Sequence, residues 1–136
     1  MARVLVVEDD PAIRQMLTLA LEMEGYVTSA LGDGSEVVPT LRRAQERVVV
    51  LMDLMMPRMT GWEVCERLAA EPALAAQHAI VVMSAGLTPE DRFPDVVRAA
   101  LLKPFNLVTA MRLVESLVAE PLGATCGSHG EPVAHP

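Results

Sequence analysis

Apolar stretches and amphipathic stretches alternate from one end of this chain to the other. Residues 3–7, 48–53 and 79–83 are almost continuous apolar runs with the length of buried strands. Shorter apolar runs at residues 26–30 and 101–102 predict two further strands. Strands that are apolar throughout are typical of a parallel sheet whose two faces are both covered. The pattern therefore predicts an α/β fold in which strands alternate with helices.

The first two expected helices have recognisable boundaries in the sequence. Asp10 is the expected N-cap of the first helix, Pro11 its first residue and Gly25 its end. The second helix is expected over residues 32–47, with a kink or a late start at Pro39, because proline cannot continue an established helix. Each helix would connect one strand to the next.

The second half of the chain carries two more helices and an irregular stretch. A helix is expected over residues 61–70, ending near Pro72, and the last helix follows Asn106 as its N-cap. Residues 88–98 have a weak pattern that two prolines interrupt, so we expect an irregular segment there.

The length of the chain, 136 residues, is that of a single domain. We expect residues 1–119 to form that domain and residues 120–136, which are rich in proline and glycine, to form a disordered C-terminal tail. There is no apolar run long enough to cross a membrane and no pattern typical of a secretion signal. The two cysteines make no disulfide framework. A cytoplasmic location is expected.

The charge of the chain bears on its partners. With 18 acidic and 11 basic side chains, the formal net charge is −7. Nucleic-acid binding surfaces are built from clustered lysine and arginine. We therefore expect no direct contact with nucleic acid, and none with a membrane.

Charged and hydroxyl side chains follow four of the predicted strands. Because ligands of open parallel sheets bind beyond the carboxyl ends of the strands, these side chains are expected to form one site. They are Glu8 and Asp9 after the first strand, Asp53 after the third, Ser84 after the fourth and Lys103 after the fifth.

The gathered carboxylates need compensating positive charge. At a separation of ~5 Å and an effective dielectric constant of ~20, each pair of carboxylates costs on the order of 3 kcal/mol. Lys103 and one divalent cation would neutralise the three acids. Ligands that are all oxygen favour Mg²⁺, which keeps water and an open position for a phosphate.

An aspartate beside Mg²⁺ and a lysine is suited to attack phosphorus. The product would be an acyl phosphate on Asp53. The Ser84 hydroxyl could donate a hydrogen bond to that phosphoryl group. A turn made by Pro57 and Gly61 would let the Met55 carbonyl reach the metal.

The chain resembles the receiver domain of bacterial two-component response regulators over about residues 2–119. Four segments carry the resemblance, in the order that the family has them: VLVVEDDPAIR (4–14), LMDLMMPRMTGWEV (51–64), VVMSAG (81–86) and LLKPF (101–105). The resemblance implies a flavodoxin-like (βα)5 fold, a doubly wound three-layer sandwich with a five-stranded parallel sheet in the order 2-1-3-4-5.

The resemblance also implies a role for each residue of the site. Asp53 matches the phospho-acceptor. Glu8 and Asp9 match the acidic pair that holds Mg²⁺ together with Asp53, and the Met55 backbone carbonyl completes the coordination.

The remaining motifs match the family with one departure. Ser84 matches the switch hydroxyl. Lys103 matches the lysine that contacts the phosphoryl group, and in this family the peptide bond between that lysine and the following proline is commonly cis. Receivers usually carry Tyr or Phe three residues before this lysine, whereas this chain has Ala100. We therefore expect the conformational signal to run through the Ser84 loop and residues 86–98.

The function implied is that of a phosphoryl-accepting signalling module. A sensor histidine kinase or a histidine phosphotransfer protein would donate the phosphoryl group to Asp53, and the binding of a downstream protein would change. Catalysis would be limited to self-catalysed phosphorylation and dephosphorylation. Output would go through another protein, dimerisation or onward transfer, unless the sequence is a fragment of a larger regulator.

Two other functions use similar residues. Haloacid-dehalogenase-like phosphohydrolases also have an aspartate nucleophile, Mg²⁺ and a lysine, but they need a second aspartate two residues later, where this chain has Met55. A phosphorylation-independent interaction domain would have lost the acids or the lysine. Only Ala100 favours that alternative.

Overall fold

The computed structural model describes residues 3–120 and 133–134. All strands are parallel and form one sheet in the order β2-β1-β3-β4-β5-β6. The predicted order of the first five strands is confirmed. The strands are β1 (Arg3–Val7), β2 (Val27–Leu31), β3 (Val48–Asp53), β4 (Ala79–Ser84), β5 (Val97–Leu102) and β6 (Val133–Ala134).

The helices connect successive strands and cover both faces of the sheet. They are α1 (Pro11–Met23), a 3₁₀ helix (Gly34–Glu36) that leads into α2 (Val37–Arg43), α3 (Gly61–Ala69), the short α4 (Pro72–Ala75) and α5 (Leu107–Val118). Among the described residues, none of these helices is long and apolar enough to cross a lipid bilayer.

Two hydrophobic cores lie on opposite faces of the sheet, which confirms the three-layer sandwich. Alternate residues of β3 point to opposite faces, so Val50 belongs to one core and Leu51 to the other. The first core packs β3 against α2 and α3, and the second packs it against α1 and α5. Both faces of β3 are therefore buried, and its residues from Val48 to Asp53 are all buried.

Both ends of α1 and the start of α2 follow the signals in the sequence. The Asp10 side chain accepts hydrogen bonds from the backbone N–H groups of Ala12 and Ile13, at 2.9 and 3.4 Å. Gly25 has φ +93°, a conformation that favours glycine. Pro39 lies in the first turn of α2, which confirms the late start. This helix ends at Arg43, earlier than expected, because Ala44 is already extended and leads toward β3.

The connection from β4 to β5 contains no helix. Residues 85–96 are irregular with two short turns, which agrees with the irregular segment expected over residues 88–98 except at its last two residues. Half-buried Leu87 and Phe93 pack against the first core. Strand β5 begins at Val97, whereas the sequence predicted a strand only at residues 101–102. The missed part of the strand contains Arg98, which forms a bidentate ion pair with Glu120 at 2.7 and 2.9 Å.

The expected disordered tail lies mainly outside the described residues. Within it, Val133 and Ala134 are aligned with Ala100 and Leu101 along the outer edge of β5. The disorder expected of residues 121–132 and 135–136, which lie outside the described residues, and the domain boundary at residue 119 stay predictions.

Candidate functional site

Four strands bring the predicted site residues together at the carboxyl edge of the sheet. Glu8 follows β1, Asp53 and Ser84 end β3 and β4, and Lys103 follows β5. The Lys103 ammonium group donates to Glu8 Oε1 at 2.9 Å and to Asp53 Oδ2 at 3.1 Å. Residues far apart in the sequence thus share one hydrogen-bonded cluster.

Glu8 is the most constrained acid of the cluster. It is only 1% exposed, and its second carboxylate oxygen accepts the Asp10 N–H at 3.1 Å. Burial raises the pKa of Glu8 above its usual range, although the hydrogen bond from Lys103 opposes that rise. The backbone of Glu8 is also held, because its N–H donates to Leu31 O at 3.0 Å and its carbonyl oxygen accepts Arg14 Nη1 at 2.8 Å.

Three carboxylates meet closely enough to bind one metal ion. Glu8, Asp9 and Asp53 each offer an oxygen atom, and these atoms lie within 4.8 Å of one another. Asp9 is exposed, whereas the other two acids are buried, so the cluster opens to solvent on the Asp9 side. A set of carboxylate oxygens fits Mg²⁺, which prefers oxygen ligands and retains water.

The loop after Asp53 is held close to the strand end. Asp53 Oδ1 accepts the Met55 N–H at 3.0 Å, and Leu54 O accepts the Gly61 N–H at 2.9 Å. A Cβ atom at Gly61 would lie 2.8 Å from the Asp53 carbonyl oxygen, so only glycine fits there. Met55 is 66% exposed, so its side chain points away from the core, whereas its backbone N–H is held beside the acids by the hydrogen bond to Asp53.

Ser84 and Lys103 are linked through the backbone. The Lys103 N–H donates to Ser84 O at 2.9 Å, and Ser84 Oγ accepts the Gly86 N–H at 3.1 Å. The expected cis peptide bond between Lys103 and Pro104 is present. Burial alone would lower the pKa of Lys103, but the hydrogen bonds and negative charges of Glu8 and Asp53 raise it, so the side chain is an ammonium ion.

Residues 4–114 match the family model described as the response regulator receiver domain. The chain belongs to this family. Its TcrX relative from Mycobacterium tuberculosis, a probable transcriptional regulatory protein, is 33% identical over 119 residues, which cover 85% of this chain and 49% of the relative. The DNA-binding response regulator MtrA of the same organism is 35% identical over 107 residues, 76% of this chain and 45% of MtrA.

The fold of this receiver domain matches solved structures as well. The chemotaxis protein CheY4 of Vibrio cholerae superimposes with a TM-score of 0.73 at 28% identity, covering 86% of this chain and 98% of CheY4. The chain spans about half the length of the curated regulators that it matches, and nearly all of this chemotaxis protein.

The receiver domain departs from the usual sequence pattern of the family at Ala100 in β5, where an aromatic residue is usual. Ala100 is buried, at 4% exposure, in the same core that Phe93 packs against. Phe93 stacks on Trp62, with ring centroids 4.8 Å apart and an interplanar angle of 8°. An aromatic contact therefore joins residues 85–96 to the start of α3. In the sequence, the two aromatic residues are far apart and give no sign of this contact.

Two contacts at the site were missed by sequence reasoning. The Arg14 side chain reaches back along α1 to the Glu8 carbonyl oxygen, and the Asp10 N–H binds the Glu8 carboxylate. Asp10 was identified only as a helix cap. For Arg14 the sequence contains only one weak indication of a role at the site, which is its position as a cation on the first helix, close to the acidic pair.

Proposed function

We propose that this receiver domain accepts a phosphoryl group on Asp53 in a reaction that depends on Mg²⁺. One observation carries the proposal. The Asp53 carboxylate lies 3.1 Å from a lysine ammonium group, and it shares a cluster with two other carboxylates in which one oxygen atom from each of the three lies within 4.8 Å of the others. A nucleophile, a fixed cation and a set of metal ligands are thus within reach of one phosphoryl group.

The residues suited to hold the metal are Glu8, Asp9 and Asp53, together with the Met55 carbonyl. When bound, Mg²⁺ supplies positive charge that reduces the repulsion among the carboxylates and with the incoming phosphoryl oxygens. The all-oxygen donor set supports this choice of metal. Thioethers are poor ligands for Mg²⁺, so the exposed Met55 side chain takes no part.

The other roles follow from the contacts that each side chain makes. An Asp53 carboxylate oxygen forms a bond to phosphorus while the bond from phosphorus to the donor imidazole nitrogen breaks, and the electron pair returns to the imidazole. Lys103 opposes the negative charge that develops on the phosphoryl oxygens. The Ser84 oxygen already accepts the Gly86 N–H, so its own proton is available to donate to the phosphoryl group.

The expected donor is a sensor histidine kinase or a histidine phosphotransfer protein, and the expected readout is altered binding of a downstream protein. The relatives TcrX and MtrA are described as a transcriptional regulator and a DNA-binding regulator. This chain matches about half of each. We therefore assign this receiver domain phosphoryl acceptance and partner control.

A phosphohydrolase is disfavoured by the residue at position 55. Turnover would need a carboxylic acid there to protonate the leaving group, and Met55 has no ionisable side chain. Chemistry at Asp53 is thus expected to stop at the acyl phosphate and its slow loss to water.

Intact-mass spectrometry after incubation with acetyl phosphate tests the proposal. We expect one phosphoryl adduct in the wild-type protein with Mg²⁺, and no adduct with a chelator or in Asp53→Asn. Asp95→Asn is the matched control, because Asp95 is an exposed aspartate outside the site. An adduct that persists in Asp53→Asn, or that forms equally without Mg²⁺, contradicts the proposal.

A further inference from the structure

We propose that Arg14 is a positioning residue for the acidic pair, and that its hydrogen bond to the Glu8 carbonyl oxygen sets the affinity of the site for Mg²⁺. The inference rests on the proposed function, because it concerns the same metal ligands. Arg14 is half-buried on α1, and its Nη1 atom donates to Glu8 O at 2.8 Å.

The bonded carbonyl belongs to the peptide group that joins Glu8 to Asp9. Because a peptide group is planar, a hydrogen bond to this oxygen fixes the direction in which the chain continues to Asp9. Asp9 is exposed, and within residues 3–120 its carboxylate forms no hydrogen bond. The placement of its carboxylate therefore depends on the backbone, which Arg14 restrains.

The space for the guanidinium group is provided by Gly32. A Cβ atom there would lie 3.3 Å from Arg14 Nη1, which is closer than most Cβ contacts. Gly32 directly follows β2, whose last residue, Leu31, accepts the Glu8 N–H at 3.0 Å. Arg14 is thus seated between the ends of β1 and β2, beside the segment that carries the acids.

The charge of Arg14 and its hydrogen bond have opposite effects on Mg²⁺ binding. A guanidinium group near a cation site repels the cation, so removal of the charge alone would tighten binding. Removal of the hydrogen bond frees the Glu8–Asp9 peptide group, so one ligand of the metal loses its fixed position and binding weakens. The sign of the change therefore distinguishes positioning from simple electrostatics.

Calorimetric titration of the unphosphorylated protein with Mg²⁺ tests the inference. Arg14→Met removes the charge and the donor but keeps an apolar stem. Arg112→Met, on the exposed side of α5, removes the same charge away from the site and is the matched control. We expect Arg14→Met to raise the Mg²⁺ dissociation constant roughly tenfold, the size typical of residues that orient metal ligands. The control is expected to bind at least as tightly as the wild type.

Arg14→Lys keeps the charge and the ability to donate hydrogen bonds but loses the planar fork of the guanidinium group. We expect it to bind Mg²⁺ with an affinity between those of the wild type and Arg14→Met. The rate of phosphorylation by acetyl phosphate at saturating Mg²⁺ is expected to change less than the affinity in both variants, because positioning of Asp9 acts through the metal. If Arg14→Met does not fold, Arg14→Lys carries the test by itself.

Unchanged or tighter Mg²⁺ binding in a folded Arg14→Met variant overturns the inference. If only Arg14→Lys folds, unchanged Mg²⁺ binding in that variant overturns it. Failure of the proposed function is recognised separately, from the behaviour of the wild-type protein. If the wild-type protein binds no Mg²⁺ and forms no adduct, both are contradicted, whereas a wild type that does both leaves only the role of Arg14 in question.

Discussion

The ammonium group of Lys103 lies 3.1 Å from Asp53 Oδ2, although the two residues are 50 positions apart in the sequence. Their contact joins the ends of β3 and β5 across the intervening strand β4. The same nitrogen binds Glu8 Oε1 at 2.9 Å, so Lys103 is the cation that holds two of the three acids together. It is also the only lysine of the chain.

Replacement of Lys103 should separate phosphoryl chemistry from metal binding. In Lys103→Met we expect the phosphorylation rate with acetyl phosphate to fall by about 100-fold, the scale of losing one stabilising donor to the transition state. Mg²⁺ binding should persist or tighten, because a nearby positive charge is removed. Rate measurements at saturating Mg²⁺ and a parallel Mg²⁺ titration check this. Unchanged phosphorylation, or loss of Mg²⁺ binding in the folded variant, would count against the assigned role.

Gly61→Ala should disturb the loop that follows Asp53. The new Cβ would lie 2.8 Å from both the Asp53 carbonyl oxygen and Leu54 Cα, so the backbone must move. We expect a loss of about 1–3 kcal/mol in the free energy of unfolding and slower phosphorylation. Urea denaturation measures the first effect.

The control for this substitution is Gly86→Ala. A Cβ at Gly86 has no heavy atom within 4 Å, so its effect on unfolding should stay within about 0.5 kcal/mol. Equal stability of the two variants would show that the close approach at Gly61 is not as described.

The stack of Trp62 on Phe93 should report the state of the site. Phe93 lies in the segment that follows Ser84, and Trp62 is the only tryptophan, so its fluorescence is specific. We expect Mg²⁺-dependent phosphorylation to change the Trp62 emission, and Phe93→Leu to remove most of that change. Tyr26→Leu, which alters an aromatic residue packed against the opposite core, should retain it. A wild-type emission that is insensitive to phosphorylation would mean that residues 85–96 do not respond.

His78 predicts a dependence of stability on pH that is unrelated to the candidate site. It is 3% exposed, its Nδ1 accepts the Val48 N–H at 3.0 Å, and its Nε2 lacks a hydrogen-bond partner within the described residues. Burial lowers the pKa of His78 below its ordinary value of 6.5, and the Leu41 carbonyl, which favours the protonated ring, only partly opposes this.

Since the folded state disfavours the protonated ring, the unfolded state binds more protons below pH 6.5. The contribution of His78 to stability is therefore complete above that pH and is lost as the pH falls, with a slope of at most about 1.4 kcal/mol per pH unit. Urea denaturation between pH 5 and pH 8 should show a smaller slope in His78→Gln than in the wild type. The same slope in both proteins would contradict the assignment.

The site was predictable because its residues come directly after apolar strands. A parallel sheet places all the carboxyl ends at one edge, so the positions of Glu8, Asp53 and Lys103 in the sequence were enough to bring them together. The two buried cores followed from strands that are apolar on both faces. Asp10 as a cap and the late helix start at Pro39 were local signals that tertiary packing did not override.

Contacts made by long side chains were not predictable. Arg14 and Glu8 are close in the sequence, but the direction of the guanidinium group depends on the space beside Gly32. The early start of β5 was missed because Arg98 interrupts its apolar pattern, and Glu120 compensates that charge only in the folded structure. The stack of Trp62 on Phe93 likewise needs two segments to meet.

The location of the phosphoryl group tests the central claim most directly. After incubation with acetyl phosphate and Mg²⁺, borohydride converts an aspartyl phosphate to homoserine, which peptide mass spectrometry can place in the sequence. We predict homoserine at position 53 and at no other aspartate, with none when Mg²⁺ is chelated. Reduction at Asp9 instead, or a phosphoryl group on Ser84 that resists borohydride, would contradict the assignment of Asp53 as the acceptor.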